Sequence, residues 1–251
     1  MKQKKTGRPP WPHPRLRCAF VIPVYNHHQR VASVVRNAAE TGLPVIVVDD
    51  GSTDGSYEAV QPIPGVLLTR HETNMGKGQA LITGMKMALE LADWAITVDA
   101  DGQHQPEDAA GVAARIPNGE RPIVVGRRMN MGGDDVPWTS RFGRHFSNFW
   151  VRCAGGPPVS DSQCGFRIYP LAETLSLPVK CRRFQFEIEV LVKAAWNGLP
   201  VREAPVKVSY SPGTPRISHF RPFVDFWRNF GAFSRLIFQR IVLPSAMRRK
   251  D

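Results

Sequence analysis

Two aspartates one residue apart, Asp99 and Asp101, stand directly after the apolar run Ala95-Ile96-Thr97-Val98. Alternate residues at a strand end point to the same side, so both carboxylates can face one spot. Two hard anionic oxygens with Gln103 beside them suit Mg²⁺ or Mn²⁺, and such an ion would also take diphosphate oxygens from a substrate. A helix-capping aspartate next to a solvated one is the alternative. A second acidic cluster, Asp49-Asp50-Gly51-Ser52-Thr53-Asp54, follows the β-branched run Val45–Val48. One of its carboxylates could accept the imide N–H of a pyrimidine or a ribose hydroxyl, while Ser52 or Thr53 caps the next helix. A turn with a cap and no ligand reads equally well there. Between the two lies Asn74-Met75-Gly76-Lys77-Gly78, whose glycines permit a tight turn and close approach of backbone to a ligand. The GxxxxGK[ST] spacing is missing, which excludes a P-loop NTPase.

These clusters need elements to hold them. Apolar runs predict strands at Cys18–Val24, Val45–Val48, Val66–Thr69 and Ala95–Val98. Helical spacing predicts helices over 29–40, Gly55–Val60 and Gly78–Leu91. Strand and helix in alternation read as a mostly parallel, doubly wound sheet of α/β class. In such sheets ligands bind outside the carboxyl ends of the strands. Three of those ends are polar: Pro23–Asn26, Asp49–Asp54 and Asp99–Gln103. Further on, the pattern predicts a strand at Ile123–Val125, a helix at 138–152, a loop at 155–166, a helix at 184–197 and a strand at Val201–Val208.

The chain has 251 residues, enough for one large domain, and its composition is 42% hydrophobic and 22% charged, so a disordered or disulfide-scaffold protein is excluded. Cys18, Cys153, Cys164 and Cys181 show no ligand spacing; they read as small apolar residues in a reducing compartment, with no structural zinc. The net charge of +11 sits at the ends. Residues 1–17 hold six Lys/Arg and no acid, and residues 216–251 hold eight against two acids; the stretch between has 19 basic and 20 acidic residues. A near-neutral body with basic ends suits contact with an anionic surface, not a nucleic-acid partner. This divides the chain into a basic, Pro-rich lead (1–17), a catalytic domain (18–212) and a basic aromatic helical segment (213–251). No signal peptide or membrane span is legible, so the expected location is cytoplasmic.

Taken in order, Val21-Ile22-Pro23-Val24-Tyr25-Asn26, Val47-Val48-Asp49-Asp50-Gly51-Ser52-Thr53-Asp54-Gly55-Ser56, Asn74-Met75-Gly76-Lys77-Gly78 and Asp99-Ala100-Asp101-Gly102-Gln103-His104 resemble the family 2 glycosyltransferases. The resemblance runs from about residue 18 to 210. In the second half, Asp161-Ser162-Gln163-Cys164-Gly165-Phe166-Arg167 is similar to the DxQCGF motif of dolichyl-phosphate glucosyltransferases, and Gly126-Arg127-Arg128 to the G-x-R segment of the dolichyl- and polyprenyl-phosphate sugar synthases. The resemblance implies a GT-A fold and a metal-dependent, inverting transfer from a nucleotide-diphosphate sugar. Pro23, Tyr25, Asn26, Asp49, Asp50, Lys77, Gly78, Asp99 and Ala100 would bind that donor. Asp99, Asp101 and Gln103 would hold Mg²⁺ or Mn²⁺. Arg127, Arg141 and Arg144 would position an acceptor phosphate, which is already anionic and needs no base. A hydroxyl acceptor would require one, and Asp161 is the candidate; a buried turn acid is its other reading.

Those synthases often carry transmembrane helices, and this chain instead has Phe220, Phe223, Phe226, Trp227, Phe230, Phe233, Ile237 and Ile241 at helical spacing, with Arg221, Arg228, Arg235 and Arg240 near the margins. Pro222 fits the first turn and Pro244 stops the helix. An aromatic face bordered by arginine suits a helix lying in a headgroup layer, which would make the protein peripheral on the inner face of the membrane with a lipid or lipid-phosphate acceptor. Packing of the stripe on the chain's own core or on a second copy is the alternative. So are a soluble transferase with a hydroxyl acceptor and a non-catalytic nucleotide-sugar-binding relative.

Overall fold

The structure, a computed structural model, describes residues 11–129, 138–208 and 222–248. The first half runs β1 (Cys18–Val24), α1 (His28–Ala39), β2 (Val45–Asp49), α2 (Ser56–Val60), β3 (Val66–Arg70), α3 (Lys77–Ala88) and β4 (Trp94–Thr97). These four strands lie parallel in the order β3-β2-β1-β4. Every residue of β1, β2 and β4 is buried, which is why they read as unbroken apolar runs rather than alternating ones.

A 3₁₀ turn at Pro106–Asp108 leads into α4 (Ala109–Ala113), followed by β5 (Ile123–Arg128), α5 (Trp138–Cys153), β6 (Arg167–Pro170), α6 (Leu171–Leu175), α7 (Phe186–Trp196) and β7 (Val201–Val206). The complete sheet is β3-β2-β1-β4-β6-β5-β7. It is mostly parallel, as expected, but β6 runs antiparallel to both β4 and β5. That strand is not legible in the sequence because it begins with a charge. Arg167 is fully buried in it, donating to the carbonyls of Cys164 (2.8 Å), Ser162 (2.8 Å) and Glu187 (2.7 Å) and to the Tyr169 hydroxyl (3.1 Å). A buried guanidinium is tolerated only with its donors satisfied, and here they bind the 161–167 motif to α7.

Because β2, β1 and β4 are adjacent and parallel, the loops after Val24, Asp49 and Thr97 leave from one edge of the sheet. The three polar strand ends are thereby brought together. Residues 11–17, read as part of the basic lead, pack on the body from Trp11 onward: its indole donates to the Leu16 carbonyl, and Trp11 and Leu16 rest on the main core.

Helix α8 (Pro222–Val242) forms between the two prolines and is followed by α9 (Ser245–Arg248). Its aromatic stripe divides. Phe233 and Leu236 are buried with Val151, Ala154, Ile188 and Val192 in a second core, whereas Phe238 and Ile241 are 64% and 77% exposed. Phe220 lies outside the described residues, as do the side chains of Phe223, Phe226 and Trp227. The arginines expected at the margins turn partly inward: Arg235 pairs with buried Glu189 at 2.7 Å, and Arg240 donates to the Arg152 and Cys153 carbonyls at the end of α5. That second contact satisfies helix-end acceptors that would otherwise lack partners. Truncating Leu236 to alanine is expected to cost about 2–5 kcal/mol, read from a urea melt, because it empties a fully buried position. An unchanged midpoint would show that α8 does not dock in this way. Among the described residues, no helix is long and apolar enough to cross a membrane.

Candidate active site

At the end of β4, Asp99 and Asp101 flank buried Ala100. Asp99 is not free. The ammonium of Lys77, the first residue of α3, lies 2.7 Å from Asp99 Oδ1 and 3.0 Å from Glu187 Oε1 on α7. Burial, the largest single influence, would raise the Asp99 pKa, but the Lys77 charge and hydrogen bond, with His104 and His27, together outweigh it and hold the carboxyl below its ordinary range. Lys77 is likewise kept protonated by its two acids in spite of burial. Asp101 shifts the other way: burial, and then the neighbouring Asp99 charge, raise it. Its Oδ1 accepts the Gln103 N–H at 2.9 Å, and Arg30 of α1 donates to its carbonyl at 2.8 Å, so the turn is pinned on both sides. A carboxylate that a like-charged neighbour destabilises is one that a divalent cation would relieve, so the donor set fits a hard metal. Among the described residues no three His, Cys, Asp or Glu side chains gather as a complete metal site. The aspartate pair would therefore need oxygens from a ligand to complete a shell.

The Asp99 carboxylate lies across Gly165 of the Asp161–Arg167 motif. A Cβ at Gly165 would stand 2.8 Å from Asp99 Cγ and closer still to one of its oxygens, so only glycine lets the carboxylate lie there. Gly165→Ala is expected to displace Asp99 and weaken metal-supported donor binding at least about tenfold, since misplacement by 1 Å costs this order or more. Titration calorimetry with a nucleotide diphosphate and Mn²⁺ checks this; wild-type affinity would refute it.

The other two strand ends interlock. Asn26, with a left-handed φ of 53°, receives the Thr53 N–H on Oδ1 at 2.8 Å and donates its own N–H to Ser52 Oγ at 2.9 Å. Neither Ser52 nor Thr53 caps α2 as expected: its N-cap is Gly55, and Asp54 just before it accepts the Ser56 N–H on Oδ1 at 3.0 Å. Pro23 is buried in β1, and Tyr25 and Asn26 are half-buried after it. Asp49 is buried, ion-paired with Arg70 at 3.0 Å, and raised in pKa by that burial. Asp50 accepts the Met75 and Gly76 N–H groups at 2.9 and 2.7 Å and meets His71 Nδ1 at 2.7 Å. Its carboxylate thus braces the Asn74–Gly78 loop. Gly76 and Gly78 lie tight against Arg182, and a Cβ at either would stand 2.8–2.9 Å from backbone atoms of that residue.

The arginine cluster separates. Asp161 is fully buried, and Arg128 grips both its oxygens, Nε at 2.7 Å and Nη2 at 2.8 Å. Both carboxylate oxygens accept from one guanidinium in a fully buried pair, which is the geometry of the buried-turn reading. Arg127, the neighbour expected in the site, is exposed. Adjacent strand residues point to opposite sides, and the sequence does not say which arginine turns inward. Arg144 is half-buried on α5, its buried Nε without a partner among the described residues, one turn before Ser147 and Asn148, which bond to the 160–162 segment. The Arg141 side chain lies outside the described residues. Sequence reasoning does not find Arg30, His71 or Glu187 as working parts of the site, since each acts across a long sequence separation and carries no local signal; Arg128 stands at the arginine of the G-x-R segment, but the sequence reading gives the role to its neighbour Arg127.

The family model for glycosyl transferase family 2 matches residues 19–173. The chain belongs to that family. Among curated relatives of this glycosyltransferase, the UDP-N-acetylglucosamine–dolichyl-phosphate N-acetylglucosaminyltransferase of Methanococcus voltae is 34% identical, with 76% of this chain and 85% of the relative covered. The polyprenol monophosphomannose synthase of Mycolicibacterium smegmatis is 27% identical, covering 77% of each. Both fit the lipid-phosphate branch that the Asp161–Arg167 motif resembles. In fold, the glycosyltransferase is similar to glucosyl-3-phosphoglycerate synthase from Mycobacterium tuberculosis in complex with Mn²⁺, UDP-glucose and phosphoglyceric acid, with TM-score 0.67, 19% identity, and 91% of this chain and 81% of that one covered.

Proposed function

We propose that this glycosyltransferase moves a sugar from a nucleotide-diphosphate donor onto a polyprenyl-phosphate acceptor, with inversion, at the cytoplasmic face of a membrane. One observation carries the choice of acceptor: the carboxylate that a hydroxyl acceptor would need as base is locked in a buried pair with Arg128. A phosphate acceptor needs none. The names of the lipid-phosphate relatives support the same reading.

In this reading the cleft over β1 and β2 takes the nucleoside, with Pro23, Tyr25 and Asn26 as its floor and Asp49 or Asp50 toward base and ribose. Lys77 and Gly78 face the diphosphate. Asp99 and Asp101, with Gln103, would hold Mg²⁺ or Mn²⁺, which supplies charge neutralisation to the departing diphosphate. Arg127, Arg141 and Arg144 orient the acceptor phosphate, whose oxygen attacks the anomeric carbon while the bond to the diphosphate breaks on the opposite side. Exposed Phe238 and Ile241 of α8, with the basic chain ends, would bring the site to the lipid surface.

The test is transfer from UDP- and GDP-sugars with Mg²⁺ or Mn²⁺, with and without polyprenyl phosphate in liposomes. Sugar recovered on the lipid is the expected outcome. Donor turnover indifferent to the lipid would move the acceptor to a hydroxyl compound.

A further inference from the structure

Beside the Asn74–Gly78 loop, a cavity of about 370 Å³ opens between the 181–185 segment and α8, lined by Cys181, Arg182, Arg183, Gln185 and Arg235. Three guanidiniums meet there. Arg235 is balanced by buried Glu189, whose other oxygen accepts the Lys180 and Cys181 N–H groups at 3.1 and 2.7 Å. Arg182 and Arg183 have no carboxylate partner among the described residues. Arg182 bonds to the Val179 carbonyl at 2.7 Å, and Arg183 to Asn74 Oδ1 at 3.0 Å. The walls therefore hold two positive charges in excess on planar forks, which match tetrahedral oxyanions with paired donors.

The surroundings indicate what would bring such an anion. Gly231, Ala232 and Arg235 put the cavity on the flank of α8. Successive helical positions advance by 100°, so this flank adjoins the outer face that exposes Phe230, Phe238, Ile241 and Val242. A phosphate group carried at the end of an apolar chain meets both features at once. The segment is also fastened to the donor side: the Gln79 N–H at the start of α3 donates to the Arg182 carbonyl at 2.7 Å.

We propose that this cavity is a second phosphate-binding site, distinct from the donor cleft, which takes a phosphate monoester through Arg182, Arg183 and Arg235. Two sources share that chemistry, a lipid phosphate in the bilayer and a soluble phosphate ester. The site does not depend on which sugar or acceptor the enzyme uses.

The experiment measures binding of the full chain to glycerol 3-phosphate and, separately, to phosphatidylcholine vesicles with and without phosphatidic acid. The variant is Arg182→Gln/Arg183→Gln, which keeps the Arg235–Glu189 pair. Its control is Arg36→Gln/Lys86→Gln, which removes two exposed charges elsewhere. A thermal melt and UDP binding verify that the fold and donor cleft persist. The expected result is binding to phosphatidic acid vesicles at least tenfold weaker than the control's, with phosphatidylcholine binding unchanged. Loss confined to vesicles identifies a lipid phosphate, and loss confined to glycerol 3-phosphate identifies a soluble ester; both support the site. Losses no larger than the control's with both probes would overturn it. Should the first variant fail to fold, Arg182→Gln alone, whose fork among the described residues bonds to carbonyls of its own loop, is judged by the same comparison.

Discussion

Asp101→Asn is expected to lower sugar transfer by about 10²–10³-fold, the size found when one preorganised electrostatic group is removed from a reaction centre. The same change should leave the fold intact and stabilise the metal-free protein at neutral pH. The reason is the sign of its shift: burial, and then the Asp99 charge, raise the Asp101 pKa, so the folded state disfavours the carboxylate. For such an acid the cost of ionisation is absent below its unfolded pKa. It grows as pH rises toward the folded value and is complete above it. A neutral amide in its place has no such cost. Thermal melts in chelator should therefore show the variant more stable at pH 7, with the advantage vanishing below the ordinary carboxylate range. A variant that keeps full transfer activity would remove Asp101 from the proposed machinery, and one destabilised at pH 7 would contradict the electrostatic argument.

The second large effect is on stability. Arg128→Met removes the partner of a fully buried carboxylate, and loss of one member of such a pair costs about 3–5 kcal/mol. Against a typical total of about 5–15 kcal/mol, the variant would be close to unfolding at physiological temperature. The double change Arg128→Met/Asp161→Asn removes the stranded charge as well and should recover most of the loss. Urea midpoints of the wild type and of the single and double variants form the necessary cycle. A single variant as stable as wild type would mean that Asp161 is solvated, which would reopen its reading as a base. An equally unstable double variant would mean that Arg128 matters for packing alone.

The α/β class, the positions of the first four strands along the chain and the three polar strand ends were legible because each rests on local pattern. Apolar runs mark buried strands, helical spacing marks helices, and clustered acids and glycines mark the turns between them. The family followed from the order of those motifs, and the match over residues 19–173 agrees with it. What the sequence alone could not decide are pairings across long separations. The Lys77–Glu187 pair spans 110 residues, Asp50–His71 spans 21 and Arg128–Asp161 spans 33. Reversal of β6 and the inward turn of Phe233 and Leu236 are of the same kind. A charged side chain reads identically in sequence whether it is solvated or sealed in a pair. Only the packing of distant elements removes water from one and supplies the partner that makes its burial tolerable.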